Sequence, residues 1–244
     1  MGSIGIIGGG NMGEALASGI LKNRLVPKSG LCVSEANPSK RRLLKNRYKI
    51  FVTGENRQVV SRSSTIVLAV KPQQMGQVLR EIAPLPRGKF VISIAAGVKI
   101  SRIEKFLGDL PVVRVMPNLS AAVGEAISAL AKNRFCGRRH RLVAERLFQS
   151  VGETVWVEES KLDAITAISG SGPAYVAFFI QALQEGALQV GISKALSLRL
   201  IQKTFQGRVA YLLAKGVDPE RFIEKVASKG GTTEAALKVF RSRR

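Results

Sequence analysis

Six residues near the start of the chain, "GGGNMG" at positions 8–13, satisfy the pattern G-x-G-x-x-G. They follow an apolar run, "SIGII", that predicts a strand over residues 3–7, and they open a predicted helix over residues 12–22. In this context Gly8 permits a tight turn, Gly10 lets a pyrophosphate approach the backbone, and Gly13 lets the helix pack closely on the strand. The turn therefore predicts a dinucleotide-binding fold.

Apolar runs alternate with helix-like stretches through the first 160 residues. Further strands are predicted at residues 31–34, 50–52, 65–70, 90–94, 112–116, 126–131 and 153–159. Helices are predicted between them at residues 39–47, 55–62, 73–82, 101–107 and 141–150. Because strands that are apolar throughout are buried on both faces, the alternation predicts an α/β fold with a Rossmann-type, mostly parallel sheet. We assign this dinucleotide-binding domain to residues 1–160.

The strand signal stops after residue 160, and helices are predicted at residues 162–191, 194–215 and 219–227. Ser193 and Asp218 are suitable N-caps for the second and third of them. We assign residues 161–244 to an all-helical domain, which is small enough to need a partner chain to complete its core, so we expect a homodimer. The apolar run in the first helix approaches membrane length, but Gly, Ser and Pro interrupt it. We therefore predict a buried turn plus helix and no membrane contact.

Composition narrows the chemistry that the chain performs. Cys32 and Cys136 are too few for a disulfide framework and lack zinc-ligand spacing, and no signal peptide precedes the first strand. We therefore expect a cytoplasmic location and no metal. His140, the single histidine, excludes histidine triads and lies in "RRHR", where we expect it to be solvated. The net charge of +21 is spread along the chain, which favours anionic small ligands over nucleic acid.

The end of the second strand, where the adenosine ribose of a dinucleotide lies, carries mixed signals. Glu35 favours NAD, because an acidic residue at this place bonds the ribose 2′-hydroxyl. Ser34, Ser39, Lys40 and Arg41 favour the 2′-phosphate of NADP. The choice between NADH and NADPH therefore stays open.

Three successive predicted strands end in turns built from small residues or proline, within "AVKPQQM", "SIAAGV" and "VMPN". The carboxyl ends of parallel strands share one edge, where ligands of open α/β sheets bind. We therefore expect these turns to line a cleft for the nicotinamide half of the cofactor.

A second glycine turn, "SKGGTTEAAL" at residues 228–237, leads into a predicted helix near the end of the chain. The first backbone N–H groups of a helix have no intrahelical acceptor. This turn is therefore a second candidate anion site.

Six segments of the chain, in their order and spacing, resemble pyrroline-5-carboxylate reductases: "GIIGGGNMGEAL", "AVKPQQM", "ISIAAGV", "RVMPN", "ISGSGPAY" and "SKGGTTEAAL". The resemblance spans residues 3–239. It implies a Rossmann domain followed by a helical dimerisation domain, with dimers often assembled into rings. It also implies hydride transfer from NAD(P)H to the C=N carbon of pyrroline-5-carboxylate, which gives L-proline in the last step of proline synthesis.

The resemblance implies site residues position by position. For the cofactor they are Gly8, Gly10, Asn11, Met12 and Gly13 at the pyrophosphate, Ser34 and Asn56 near the adenosine ribose, Ala69, Lys71, Pro72 and Asn118 along the nicotinamide ribose and ring, and Ala95, Ala96 and Gly97 at the floor between cofactor and substrate. For the substrate carboxylate and imine they are Ser228, Gly231, Thr232 and Thr233.

Thr233 is assigned the hydroxyl that contacts the imine nitrogen, as the catalytic residue. Its alternative role is to N-cap the final helix. No stronger acid is required, because a cyclic imine can bind already protonated and the enzyme then has mainly to orient it. We expect the fold and a dimer partner to bring the two glycine turns together.

The chain departs from the family pattern at three places. Lys229 stands where relatives commonly have proline, which adds a cation beside the carboxylate site. Leu119 and Ser120 follow Asn118 where relatives often have Thr-Pro. Relatives usually continue with another helix after the position of "FRSRR", so we expect the helical domain to lack it.

Two alternative functions compete with the reductase. A β-hydroxyacid-type dehydrogenase shares the glycine turn and the helical second domain, but residues 174–191 contain no lysine for its catalysis. A nucleic-acid-binding protein on a Rossmann scaffold is suggested by the net charge of +21. It would bind duplex DNA in a salt-sensitive manner and would not need the turn at residues 228–233.

Overall fold

The computed structural model describes residues 2–242, which form two compact units divided between Ala174 and Tyr175. The first unit contains a sheet with helices on both faces, and the second is helical. The predicted domain boundary at residue 160 lies in a short helical turn, Glu159–Lys161, that follows the last strand.

The first unit is built on one sheet of eight strands. The strands are Ile4–Ile7 (β1), Leu31–Ser34 (β2), Phe51–Thr53 (β3), Thr65–Leu68 (β4), Phe90–Ser93 (β5), Val112–Met116 (β6), Ala126–Lys132 (β7) and Gly152–Trp156 (β8). Their order is β3-β2-β1-β4-β5-β6-β7-β8, and every neighbouring pair is parallel except β6 with β7. The first six strands have the order of a dinucleotide-binding Rossmann fold, so the predicted sheet is confirmed.

Helices connect the strands and then form the second unit. They are Asn11–Lys22 (α1), Pro38–Tyr48 (α2), Asn56–Arg62 (α3), Pro72–Ile82 (α4), Ile100–Leu107 (α5), Arg138–Gln149 (α6), Leu162–Ile165 (α7), Gly172–Gln189 (α8), Lys194–Lys215 (α9), Pro219–Val226 (α10) and Thr232–Ser242 (α11).

The core lies on both faces of the sheet, because alternate residues of a strand point to opposite faces. On β1, Ile4 and Ile6 join an apolar cluster that includes Leu16 of α1 and Phe148 of α6. Ile7 joins the cluster on the other face, to which α3, α4 and α5 contribute. Every residue of β1, β2, β4 and β5 is buried, which explains why these strands are almost continuous apolar runs in the sequence.

One charged side chain lies inside this core. Arg114 on β6 is only 3% exposed. Its guanidinium donates to Asp163 at 2.6 Å and lies 3.4 Å from Glu159, whose carboxylate also accepts from the backbone N–H of Ile100 at 2.7 Å. A buried charge is stable only when it is paired, so this arginine and its two carboxylates hold the segment after β8 against the sheet.

The start of α6 differs from the prediction. The helix begins at Arg138, three residues earlier than predicted, directly after Gly137. The backbone N–H of Gly137 donates to Nδ1 of His140 at 3.1 Å. His140 thus takes the place that Glu or Gln has in a capping box, and glycine stands at the N-cap, where Ser, Thr, Asp or Asn would have marked the helix start in the sequence.

The helix predicted over residues 162–191 is not continuous. It consists of α7, a π-helical turn at Thr166–Gly170, and α8. The hydroxyl groups of Thr166 and Ser169 donate to carbonyl oxygens four residues earlier, at 2.7 and 3.2 Å. Such bonds compete with the regular ladder and bend helices, which accounts for the interruption before "SGP".

The second unit consists of most of α8, from Tyr175 onward, with α9, α10 and α11. Ser193 caps α9 and Asp218 caps α10, as predicted. Edge-to-face aromatic contacts pack the helices, such as those of Phe179 with Phe205 and with Phe240 at centroid distances of 6.4 and 6.0 Å. Large apolar side chains are nevertheless exposed, and Phe178, for example, is 70% exposed. Among the described residues, no helix is long and apolar enough to span a bilayer.

Candidate dinucleotide site and second anion-binding turn

The predicted cofactor residues of the first unit follow the carboxyl ends of β1, β2, β4, β5 and β6. These five strands are mutually parallel neighbours, so their carboxyl ends form one edge of the sheet. The edge carries Gly8, Gly10, Asn11, Met12 and Gly13 after β1, Ser34 at the end of β2, Ala69, Lys71 and Pro72 after β4, Ala95, Ala96 and Gly97 after β5, and Asn118 after β6. Asn56, which begins α3, reaches the same edge through Ser34.

The turn between β1 and α1 has a geometry that only glycine allows. Gly8 has a φ of +106°, and a Cβ on it would lie 2.6 Å from the carbonyl oxygen of Ala69. A Cβ on Gly13 would collide with the carbonyl oxygen of Gly8. Helix α1 therefore starts in direct contact with the end of β1.

Gly10 is different, because a Cβ placed on it would meet no atom within 4 Å. Gly10 is also the N-cap of α1, and no side chain caps the helix. Among the described residues, none accepts a hydrogen bond from the backbone N–H of Asn11 or Met12. An open backbone with free N–H groups at the positive end of a helix fits a pyrophosphate.

Ser34 and Asn56 form a polar chain beside this turn. The hydroxyl of Ser34, which is 2% exposed, donates to Oδ1 of Asn56 at 2.7 Å. The Asn56 amide in turn donates to Glu81 at 2.8 Å. Both residues are thus fixed where the ribose of a dinucleotide lies in this fold.

Glu35 makes a contact that the sequence did not reveal. One carboxylate oxygen accepts from the backbone N–H of Gly9 at 3.0 Å and the other accepts from that of Asn37 at 2.8 Å. Its negative charge therefore lies between the glycine turn and the loop that precedes α2. The position of Glu35 at the end of β2 was the available signal, but the contact with Gly9 depends on the rotamer.

One cationic side chain of this loop, that of Arg41, is held by the protein itself. Arg41 donates to the backbone carbonyl oxygens of Glu35 and Ala36, both at 2.8 Å. Asn37 accepts from the backbone N–H groups of Ser39 and Lys40, which begin α2, at 2.9 and 3.1 Å. These two backbone N–H groups are therefore already paired within the protein.

The part of the edge that follows β4, β5 and β6 combines small residues with one unpaired amide oxygen. Ala95 is buried, and Gly97 has a φ of +71°. Pro72 begins α4 directly after Lys71. The Oδ1 atom of Asn118 is buried and has no hydrogen-bond partner among the described residues. A buried acceptor without a donor is costly, so Asn118 fits a ligand that brings a hydroxyl or an amide N–H.

The second candidate anion site is the turn that precedes α11 in the helical unit. Gly230 has a φ of +74°, and its N–H donates to Glu234 at 2.6 Å. The carbonyl of Gly231 accepts the first helical bond, from Ala235 at 3.2 Å. Among the described residues, none accepts from the N–H of Thr232 or Thr233, so these groups are available to an anion.

Neither threonine hydroxyl caps the helix: among the described residues no N–H of α11 donates to either of them, and the Glu234 carboxylate accepts from Gly230, which precedes the helix. Thr232 is exposed and Thr233 is half-buried. Ser228 packs against Gly231, on which a Cβ would lie 2.6 Å from the serine hydroxyl oxygen. Lys229 is exposed at the tip of the turn.

Other reactive side chains offer no competing centre. Burial raises the pKa of both Cys32 and Cys136, which keeps the thiols protonated. Within residues 2–242, no group of three or more His, Cys, Asp or Glu side chains is arranged to hold a metal ion.

A Rossmann sheet with an open glycine turn at its carboxyl edge defines a dinucleotide-binding oxidoreductase. The comparisons with known proteins agree. A family described as NADP oxidoreductase coenzyme F420-dependent matches residues 3–97, and one described as pyrroline-5-carboxylate reductase dimerisation matches residues 159–244.

Relatives extend the likeness to almost the whole chain. A pyrroline-5-carboxylate reductase of Synechocystis sp. is 36% identical over 97% of this chain and 89% of its own length. Pyrroline-5-carboxylate reductase 2 of Bacillus subtilis is 34% identical over 100% of this chain and 88% of its own. The crystal structure of Plasmodium falciparum pyrroline carboxylate reductase with NADP bound has a TM-score of 0.90 and 32% identity, covering 99% of this chain and 90% of that one. The chain belongs to the pyrroline-5-carboxylate reductase family.

The geometry of the glycine turn leads to a prediction for Gly10→Ala. We expect this variant to fold normally, because the added Cβ meets no neighbour. Its Cβ would fill the space through which a pyrophosphate approaches the backbone, so the Kd for NADPH should rise by about tenfold or more. Calorimetric titration together with thermal unfolding checks both parts.

Gly76→Ala is the matched control, since it adds the same methyl group inside α4, 3.5 Å from the nearest atom, Nη2 of Arg102. Its Kd should equal that of the wild type. An unchanged Kd in Gly10→Ala would contradict the proposed pyrophosphate site.

Proposed function

We propose that this chain reduces 1-pyrroline-5-carboxylate to L-proline with a hydride from NADH or NADPH, in the last step of proline synthesis. The observation that carries the proposal is the likeness to reductases of that name over 97% of the chain. The two glycine turns add a physical reason, because they offer free backbone N–H groups to the two anionic groups of the reaction, a pyrophosphate and a carboxylate.

For the cofactor, we assign the pyrophosphate to Gly8, Gly10, Asn11, Met12 and Gly13. The open backbone at Gly10 supports this assignment. When bound, the reduced nicotinamide supplies the hydride to the imine carbon.

The remaining cofactor contacts follow the sheet edge. We assign the adenosine ribose to Ser34 and Asn56, which are already joined by a hydrogen bond of 2.7 Å. We assign the nicotinamide ribose and ring to the rest of the edge, where the unpaired oxygen of Asn118 is the strongest support. These remaining residues are Ala69, Lys71, Pro72, Ala95, Ala96, Gly97 and Asn118.

For the substrate, we assign the carboxylate to the N–H groups of Thr232 and Thr233 with Ser228 and Gly231 shaping the turn. The positive end of α11 favours an anion there. The exposed ammonium group of Lys229 adds attraction at long range.

We assign to Thr233 the hydroxyl that orients the imine nitrogen. A cyclic iminium needs no strong acid, and orientation alone lowers a barrier by roughly 7–11 kcal/mol. The finding that supports Thr233 is that its hydroxyl is not used as a helix cap.

We also propose that the protein works as a homodimer and that dimers assemble into a ring. Among residues 175–242, no apolar side chain is buried, so this unit has no core of its own and needs a partner surface. We place the enzyme in the cytoplasm, where the two buried free cysteines would stay reduced.

The proposed activity predicts turnover of pyrroline-5-carboxylate by the wild type with NADH or NADPH, followed as loss of reduced nicotinamide absorbance. Thr233→Val, which replaces the hydroxyl by a methyl group, should lower kcat roughly 100-fold. Thr233→Ser restores the hydroxyl and should recover most of the activity.

Thr204→Val is the control, because its hydroxyl only donates to the carbonyl of Leu200 within α9. It should retain full activity. No turnover by folded wild-type protein with either cofactor would contradict the activity. Full kcat and KM in Thr233→Val would contradict only the role of that hydroxyl.

The charge of Glu35 predicts the direction of a change in cofactor selectivity. Glu35→Gln keeps an oxygen for the N–H of Gly9 but removes the negative charge that a 2′-phosphate would face. We expect the ratio of kcat/KM for NADPH to that for NADH to rise by about tenfold, equivalent to about 1.4 kcal/mol. Steady-state kinetics with both cofactors measures this ratio.

Glu153→Gln on β8 is the charge-matched control, since it lies at the opposite end of the sheet from β2. Its ratio should stay at the wild-type value. The same ratio in both variants would show that Glu35 does not face the 2′ position.

A further inference from the structure

A second concave site lies at the amino edge of the sheet, opposite the glycine turn. It is a cleft of about 820 Å³ between one face of α6 and the residues at which β1, β4 and β5 begin. Gly2 precedes β1, Thr65 begins β4 and Phe90 begins β5. The volume is within the range of small-molecule sites, and the proposed reaction does not use this edge.

The cleft is strongly cationic. Three arginines on α6 line it, Arg138, Arg139 and Arg146, and no described lining residue is acidic. Among the described residues, none of the three is within ion-pair distance of a carboxylate. Three uncompensated guanidinium groups around one concavity attract a multiply charged anion.

Two of these arginines are also in an unfavourable position with respect to the helix dipole. Arg138 and Arg139 are the first two residues of α6, and its first turn has no acidic residue. Cations at a helix N-terminus are unfavourable, because the free N–H groups there already carry positive partial charge. An anion bound in the cleft would offset the repulsion between the arginines and their repulsion by the helix terminus.

His140 adds a neutral donor to the lining. Its Nδ1 accepts from Gly137, so in the neutral ring the proton is on Nε2. The ring packs against Phe90 with centroids 5.0 Å apart. Burial, followed by the nearby charge of Arg139, lowers the pKa of His140, so the expectation that this histidine is simply solvated does not describe it fully.

We propose that this amino-edge cleft binds a small molecule that carries two or more phosphate groups, with Arg139 and Arg146 as its main contacts. One guanidinium group can donate two parallel hydrogen bonds to the oxygens of a phosphate. Arg139 and Arg146 lie two turns apart on the face of α6 that lines the cleft. Leu142, between them and 44% exposed, offers an apolar wall to the body of such a ligand.

The single histidine makes the test specific to the cleft. Protein labelled with ¹³C-histidine is titrated with inorganic pyrophosphate and with ATP at constant ionic strength, and the His140 ring resonances are followed by NMR. We expect a saturable shift with at least one probe. The double variant Arg139→Ser/Arg146→Ser should weaken the binding at least about tenfold, because two charge-assisted contacts are lost.

The control is Arg42→Ser/Lys45→Ser, which removes the same charge from the exposed face of α2 and should leave the affinity unchanged. No saturable shift with either probe would overturn the proposal, as would equal weakening by the two double variants. A shift produced by a short DNA duplex but by neither probe would also overturn it in favour of nucleic-acid binding. Reductase activity is not used as a readout, so the outcome is independent of the proposed function.

Discussion

The close contact between α1 and the end of β1 is the constraint on which the functional edge depends. Gly13 lies against the carbonyl of Gly8, and no residue with a side chain fits there. This contact points the free N–H groups of α1 at the space beside Gly10. β1 is in the middle of the parallel part of the sheet. The glycine turn therefore shares its edge with the turns that follow β4, β5 and β6.

Much of this edge follows from sequence patterns that have a simple physical cause. Buried parallel strands are apolar throughout, so β1, β2, β4 and β5 are visible in the sequence, and the glycine spacing of the first turn is required by backbone contacts. The start of α6 was harder to predict, because glycine stands at its N-cap and His140 accepts from that glycine where a capping box has Glu or Gln. The interruption at Thr166–Gly170 depends on side-chain rotamers that a helical pattern does not specify.

The candidate site, too, could be predicted from the sequence only in part. The residue types at the ends of the strands could be assigned by position, and the structure places those of the first unit along one edge. The pairing of Glu35 with Gly9 and the unpaired oxygen of Asn118 are results of packing among residues distant in sequence. They change the interpretation of the edge, because they show which charge lies beside the glycine turn and which polar atom still lacks a partner.

Free N–H groups at helix N-termini recur in this protein, but their surroundings differ. At α1 the turn is open at Gly10, although the Glu35 carboxylate lies beside it on the N–H of Gly9, and this open backbone suits a pyrophosphate that must approach closely. At α11 Glu234 occupies the N–H of Gly230 and leaves those of the two threonines, which suits a single carboxylate. At α6 arginines surround the helix start, which suits a ligand of higher charge.

The central claim is that the turn at residues 8–13 holds the dinucleotide pyrophosphate and the turn at residues 231–233 holds the substrate carboxylate. A crystal structure of the protein with NADP⁺ and L-proline tests it most directly. We predict pyrophosphate density within hydrogen-bond distance of the N–H groups of Asn11 and Met12, and the proline carboxylate on those of Thr232 and Thr233. Proline bound elsewhere, or a pyrophosphate away from the glycine turn, would contradict it.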